Sequence, residues 1–488
     1  KKEYTIQENK KRLIQERDIM KSMIQGFPRM GIKRELKKAV EAYWKKDITL
    51  ESLKAEAKKI QQENYKIFKE TKLDYSPIGD FSFYDNILDM ALLFNIIPDR
   101  FKEERFTNQI DLYFGMARGI QTESKSISPL ALKKWFNTNY HYLVPEINDN
   151  TQYAINDALY MEVIENALAE NLNNPSATLI GPLTVLSLSK KESNFDWSSE
   201  IQKLAQQYNI LIHKLEQKGI KTIQIDEPIL VQTPCTIKEE IARKAYEIIT
   251  TGINSEIFIQ TYFDTVGENY KWLVDLPVQG IGLDFVHGKE NINLIKTHGF
   301  PADKKLITGV INGRNIWIMD PKEIQSTLTE VENSVNKANM ILSTSCSLLH
   351  TPFTIETEEK LPENIKSTLA FAKEKCKELQ LLKENDEEQI KSLEEKRDSF
   401  VNDPKRKNEK IQTELKEILK QPRGRKNPFN TRIEEQNKSL NLPILPTTTI
   451  GSFPQTKEVR IKRKEWRTKE IDQATYDNFI EEKTIEVI

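Results

Sequence analysis

Short apolar runs, each ending in small or polar residues, recur along the first 350 positions of the chain. Eight stand out, at 23–27, 77–81, 177–185, 222–230, 256–263, 278–286, 306–312 and 340–345. Most are rich in Ile, Leu and Val and lack the polar–apolar alternation of a half-exposed antiparallel strand. Strands buried on both faces read this way. Between them, 200–218, 238–250, 267–275 and 321–337 carry the apolar spacing of amphipathic helices. Strands alternating with helices predict an α/β fold, a (β/α)8 TIM barrel spanning 23–360.

Other segments depart from that rhythm. The stretch from 97 to 175 is too long for a plain barrel connection, and it holds Asp111-Leu112-Tyr113-Phe114, Arg118-Gly119 and Trp135-Phe136-Asn137-Thr138-Asn139-Tyr140-His141-Tyr142. Its aromatic and amide density predicts either a loop that shapes a substrate site or a satellite core packed on the barrel. From 361 to 440 charged residues dominate and strand-like runs vanish, which predicts a helical linker, with helical periodicity at 367–382. Residues 1–22 are polar, with little to bury, and read as an extension.

One motif occurs twice. Gly26-Phe27-Pro28-Arg29 leads into a basic helical stretch ending at Trp44, and Gly451-Ser452-Phe453-Pro454 leads into another ending at Trp466. Two such beginnings predict a duplicated architecture, with 441–488 as the first strand and helix of a second, truncated barrel. On this reading the chain is a fragment.

Composition narrows the function classes. Lys+Arg 72 against Asp+Glu 73 leaves a net charge of -1, so nothing global points to nucleic acid or an anionic membrane. Neither a membrane-spanning apolar run nor a secretory signal is visible. The thiols of Cys235, Cys346 and Cys376 are widely scattered, which argues against a disulfide framework and for a reducing, cytoplasmic setting. No phosphate-binding glycine loop and no nucleophile elbow is present.

Chemistry in a barrel sits where strands end. The predicted strand ends carry Asp80, Asp226, Glu227, Tyr262, Asp264, Asp284, His287, Asn312, Arg314, Ser345, Cys346 and His350. His287, Cys346 and His350, with Asp226 or Glu227, can be drawn as a metal site, but no His-x-Cys or Cys-x-x-Cys spacing supports it, and structural histidines are the plainer reading. After Gly31, Lys33, Arg34, Lys37 and Lys38 crowd the first turns of a helix whose apolar stripe is Ile32, Leu36, Val40 and Tyr43. Cations beside free helix amides suit a polyanionic ligand, and an ordinary basic surface helix fits equally well.

In order along the chain stand Gly26-Phe27-Pro28-Arg29-Met30-Gly31, Arg34-Glu35-Leu36-Lys37-Lys38, Gly79-Asp80-Phe81, Lys134 with the aromatic run to Tyr142, and Gln224-Ile225-Asp226-Glu227-Pro228. Further on are Val286-His287-Gly288-Lys289, Ile311-Asn312-Gly313-Arg314-Asn315, Ser345-Cys346-Ser347-Leu348-Leu349-His350, and Pro446 through Thr456. Together these strings resemble the cobalamin-independent methionine synthases, the 5-methyltetrahydropteroyltriglutamate–homocysteine methyltransferases.

The resemblance implies two face-to-face barrels related by duplication, the first holding folate and the second holding zinc and homocysteine. It implies folate contacts at Lys33, Arg34, Glu35, Leu36 and Lys134. It also implies homocysteine or methionine contacts at Ile450, Gly451 and Ser452. The methyl donor would be 5-methyltetrahydropteroyltri-L-glutamate, without cobalamin. The family's zinc ligands have no counterpart in this chain, so no catalytic or metal residue is assigned. The chain is expected to be a monomer that takes small-molecule substrates, supplies the folate side of the cleft and is inactive alone. The alternative is a stand-alone polyglutamyl-folate-binding module.

Overall fold

The computed structural model describes residues 20–122, 124–191, 195–421, 424–449, 451–453 and 455–487. The described residues divide into two compact units at Arg406/Lys407.

The first unit is built on eight parallel strands. They are β1 (Lys21–Met23), β2 (Ser76–Ile78), β3 (Pro175–Ile180), β4 (Thr222–Asp226), β5 (Glu256–Gln260), β6 (Gly280–Asp284), β7 (Lys305–Ile311) and β8 (Met340–Thr344). Each pairs in parallel with its sequence neighbours from β2 to β8, and β8 pairs with β1 through Lys21↔Ile341 to Met23↔Ser343. The ring closes between β1 and β2 by a parallel bridge, Met23↔Tyr75. The Ser22 carbonyl accepts the Asp74 and Tyr75 amides there, while the Asp74 carboxylate accepts the Ser22 amide at 2.8 Å. The fold is therefore the (β/α)8 barrel that the periodicity predicts.

Every strand expected of the barrel is present, but most stop several residues earlier than the apolar runs do. The run at 177–185 ends as strand at Ile180 and continues as the helix Pro182–Leu188. The run at 222–230 ends at Asp226 and continues as the short helical turn Pro228–Val231. Both continuations are almost entirely buried, so they are apolar for the same reason as the strands, and periodicity cannot separate them. The helices Trp197–Gln217, Glu239–Thr250, Tyr270–Val274 and Pro321–Glu332 occupy the predicted positions within a few residues.

Strand side chains alternate between the helices and the barrel axis. Ile223, Ile225, Ile257, Ile259 and Leu283 join the core shared with the helices, whereas Met23, Tyr75, Phe258, Ile307 and Ile341 form a separate apolar plug. Buried polar residues also occur among the strands: Gln25, Thr178, Gln224, Gln260 and Ser343. Gln224 donates from Nε2 to the Gln25 carbonyl at 2.9 Å, and Gln25 donates to the Thr344 carbonyl at 3.1 Å. These bonds cross from β4 to the end of β1 and from there to β8.

The long connection between β2 and β3 contributes to a satellite core and also sends a hairpin to the barrel's mouth. Gln109–Arg118 packs with Glu35–Trp44 and Leu50–Glu70 in a satellite core that includes Leu36, Val40, Leu53, Ile110, Tyr113 and Phe114. The hairpin of Leu132–Lys134 with His141–Leu143 reaches the barrel's mouth instead. Within the segment read as a charged linker, Ala372–Glu384 packs on the barrel and buries Ala372, Cys376 and Leu379.

The second unit holds the helices Glu409–Lys420, Phe429–Leu440, Lys457–Arg467 and Gln473–Val487. Ahead of Lys457 the described residues 441–449 and 451–453 form no strand. A parallel strand needs a neighbouring strand to take its hydrogen bonds, and the described residues of this unit contain none. No helix among the described residues is long and apolar enough to cross a membrane.

Gly282 lies opposite Gln260 in the β5–β6 register, and a Cβ there would sit 1.7 Å from the Gln260 side-chain oxygen. Gly282→Ala is expected to lower stability by about 1–3 kcal/mol through overpacking, measured as a drop in the urea midpoint of the first unit.

Candidate functional site

The strand ends gather polar side chains at one mouth of the barrel. Asp226 closes β4, and its carboxylate accepts hydrogen bonds from Gln224 Nε2 at 2.8 Å and the Tyr262 hydroxyl at 3.1 Å. Asp80, just after β2, accepts the Phe27 amide at 2.8 Å. Burial pushes Asp226 up to about 8, with Asp80 and Glu227 adding repulsion, and it pushes Asp80 up to about 6. Asp226 is therefore chiefly a neutral acid at pH 7.

Glu227, the next residue, faces a different task. Its carboxylate accepts the Leu183 amide (3.0 Å), the Thr184 amide (2.8 Å), the Thr184 hydroxyl (2.5 Å) and the Tyr246 hydroxyl (3.1 Å). It caps the start of Pro182–Leu188 and is spoken for structurally. A Cβ on Gly181 would lie 2.1 Å from its carboxyl carbon, so a glycine lets it approach.

A cavity of about 50 Å³ opens beside Asp226, lined by Gln25, Arg29, Asp80, Tyr262 and His350, with Trp135 and Tyr140 of the hairpin. Arg29 is buried and spends its guanidinium on the carbonyls of Ser82, Phe83 and Tyr84. His350 makes edge-on contacts with Tyr140 (5.4 Å) and Phe263 (5.5 Å). Burial, aided by the Arg314 charge, holds its imidazole down at about 4, so it is neutral at pH 7. Phe136 and Phe263, whose rings are 5.8 Å apart, have φ of 50° and 88°. For bulky residues that left-handed backbone costs on the order of 1–3 kcal/mol each and persists where the surroundings enforce it.

The residues assigned to folate lie outside this cavity. Lys33 and Arg34 precede the helix Glu35–Trp44 rather than lying in its first turns. Arg34 sits at the N-cap with φ 64° and no side-chain cap, while the first-turn Leu36 amide donates to the Met30 carbonyl at 3.2 Å. Both cations are exposed and have no acidic partner among the described residues, whereas Lys37 pairs with Glu41 at 3.6 Å. The Glu35 carboxylate turns back to accept the Lys33 amide at 2.8 Å. Leu36 is fully buried in the satellite core, so its side chain meets neighbours rather than ligand, and Ile32, expected on the apolar stripe, is 41% exposed.

Lys134 ends the first strand of the hairpin, exposed and likewise without an acidic partner among the described residues. Chain proximity thus groups Lys33, Arg34 and Glu35, while Lys134 stands on a separate element. In the second unit, Gly451 and Ser452 are exposed in a bend ahead of Lys457–Arg467, and Ile450 lies outside the described residues.

The metal arrangement drawn from sequence does not assemble. His287 Nδ1 lies 3.2 Å from Asp284 Oδ2, the buried Cys346 thiol is pushed up by desolvation, and His350 is packed between rings. Among the described residues no three His, Cys, Asp or Glu side chains are placed to hold a metal ion. The sequence places Arg314 at a strand end and within a family string, without a partner. Its bond to Asn137, from across the mouth, has no local signal because 177 positions separate the two.

Residues 21–336 match the family model described as "Cobalamin-independent synthase, N-terminal domain", and residues 445–488 match its "Catalytic domain". The chain belongs to the cobalamin-independent methionine synthase family. It is 41% identical over 470 residues to the 5-methyltetrahydropteroyltriglutamate–homocysteine methyltransferase of Bacillus cytotoxicus, and 39% identical to that of Bacillus cereus. Each alignment covers 94% of this chain and 60% of the relative, so the chain spans about 60% of the length of these curated synthases.

Among solved structures it is similar to a B12-independent methionine synthase from Shewanella sp. W3-18-1 in complex with selenomethionine (15% identity, TM-score 0.47, 71% of this chain and 92% of that one). It is also similar to a putative vitamin-B12-independent methionine synthase from Listeria monocytogenes (14% identity, TM-score 0.49, 75% and 96%). Within this family the fold assignment for the chain rests on its own strand order.

Asp226 has a folded-state pKa far above the usual carboxylate value, so the native state binds a proton that the unfolded state releases. That contribution is present at low pH and is lost as pH rises from about 4 through about 8. Asp226→Asn is expected to flatten this fall, its unfolding free energy from urea titration gaining on the wild type from pH 5 to pH 8 by an amount on the order of 1 kcal/mol. A margin independent of pH would contradict the assignment.

Proposed function

We propose that this chain supplies the folate-holding side of an enzyme that transfers the methyl group of 5-methyltetrahydropteroyltri-L-glutamate to L-homocysteine, giving L-methionine. One observation carries the reading. In a chain of this family, Lys33 and Arg34 stand exposed and unpaired by acids at an uncapped helix start, and Lys134 stands likewise on the hairpin. A triglutamate tail is a run of carboxylates, and exposed cations without acidic partners answer that chemistry.

Glu35 shapes the approach by holding the Lys33 amide, and Leu36 anchors the helix to the satellite core. Ile450, Gly451 and Ser452 are assigned to the amino-acid substrate by the family resemblance. Zinc, which that resemblance implies for activating the homocysteine thiol, finds no donor set among the described residues, and no step is assigned to it on this chain. We take the protein to act in the cytoplasm as a monomer, and this polypeptide alone to bind folate without turning it over.

Titration of the chain with mono- and triglutamyl 5-methyltetrahydrofolate tests the reading. The triglutamate is expected to bind more tightly, and Lys33→Ala and Arg34→Ala are each expected to weaken it about threefold, on the order of 0.5–1 kcal/mol for an exposed charge. Raising the salt from 50 to 500 mM should narrow the gap between the two ligands. Equal affinities for both ligands in the wild type would sink the reading.

A further inference from the structure

We infer that Arg314 is a positioning residue: it latches the hairpin of Leu132–Lys134 and His141–Leu143 across the barrel's mouth and thereby sets where Lys134 stands. The inference rests on the reading of Lys134 as a contact for the anionic tail.

The hairpin does not hold itself. Its two strands are three residues each, and Leu132, Lys133 and Lys134 are all exposed. A free two-stranded ribbon of that length is not stable in water. Its base is tied down on one side, where the Leu143 amide donates to the Asp85 carboxylate at 3.1 Å and the Tyr142 hydroxyl donates to the Leu188 carbonyl at 3.2 Å. Lys134 lies at the other end, next to the tip.

The tip is held from across the mouth. Arg314 donates from Nη1 to Asn137 Oδ1 at 2.9 Å and from Nη2 to the Asn137 carbonyl at 3.0 Å, and its guanidinium lies 4.9 Å from the Phe263 ring centroid. Phe136 packs on the same Phe263 ring, and both aromatics carry a backbone that only their surroundings can enforce. One planar cation therefore clamps the tip residue and covers the ring beneath it. A lysine, a point charge without the fork or the flat face, cannot do both.

Arg314 is itself fixed. Asn312 Oδ1 accepts the amides of Arg314 (2.9 Å) and Asn315 (3.0 Å). A Cβ on Gly313 would lie 2.6 Å from the Cys346 carbonyl oxygen, so the β7 loop is pressed against the loop after β8. The latch runs from the rigid barrel to the hairpin tip, and Lys134 is three residues from the clamped Asn137.

The test uses the full chain and its Arg314→Ala, Arg314→Lys, Lys134→Ala and Arg314→Ala/Lys134→Ala variants, with mono- and triglutamyl 5-methyltetrahydrofolate and amide hydrogen exchange. Arg314→Ala is expected to speed exchange across 134–142 without changing the barrel strands. It should lower the preference for triglutamate over monoglutamate about fivefold, Lys134→Ala should do the same, and the double variant no more, as for residues acting through one contact. Arg314→Lys should not restore the preference.

An unchanged preference in Arg314→Ala, additive losses, or full rescue by lysine would overturn the latch. If Lys134→Ala itself leaves the preference unchanged, the tail-contact reading of Lys134 fails instead, and the exchange of 134–142 still decides whether Arg314 holds the hairpin.

Discussion

Closure of the parallel ring is the constraint on which the rest of the first unit depends. A parallel strand finds its hydrogen-bond partners only in neighbouring strands, so an open edge at β1 or β2 would leave backbone groups unpaired. The Met23↔Tyr75 bridge and the Ser22–Asp74 bonds remove that edge. Once the ring is closed, helices must cover its outside and all strand ends point the same way. The polar residues that follow β2, β4, β5, β7 and β8 are then neighbours whatever their distance in sequence.

That geometry sorts charge into two kinds. The carboxylates inside the mouth are buried, and burial raises Asp80, Asp226 and Glu227 above the usual range. Glu227 answers with four hydrogen bonds, Asp226 with two, and the enclosed arrangement has little room for an extended anion. The cations beyond it, Lys33, Arg34 and Lys134, are exposed and unpaired by acids among the described residues. The first two stand in the β1–β2 connection, whose helix packs on the satellite core, and the hairpin of the β2–β3 insertion carries the third. All three stand outside the cavity beside Asp226.

Where sequence and structure part, the reason is usually that burial looks alike in different secondary structures. Leu183, Val185 and Leu230 read as strand because they are apolar, yet they lie in helical turns past the strand ends. Ile32 reads as part of a helix stripe but precedes the helix and faces solvent. The apolar stretch before Gly451 reads as a strand, and its described residues are irregular, with no other strand among the described residues of that unit.

The amino-acid sequence by itself determined the alternation of strand and helix, the count of eight, the cluster of cations from Lys33 to Lys38, and the family strings from Gly26 to Thr456. All of these are local patterns in burial or charge, and local patterns survive in one dimension. The tertiary structure decided which carboxylate is a cap and which faces the cavity, since Asp226 and Glu227 are adjacent in the chain and differ only in what surrounds them. It also decided that Arg314 meets Asn137. Those facts are contacts between distant segments, and only closing the barrel brings the segments together.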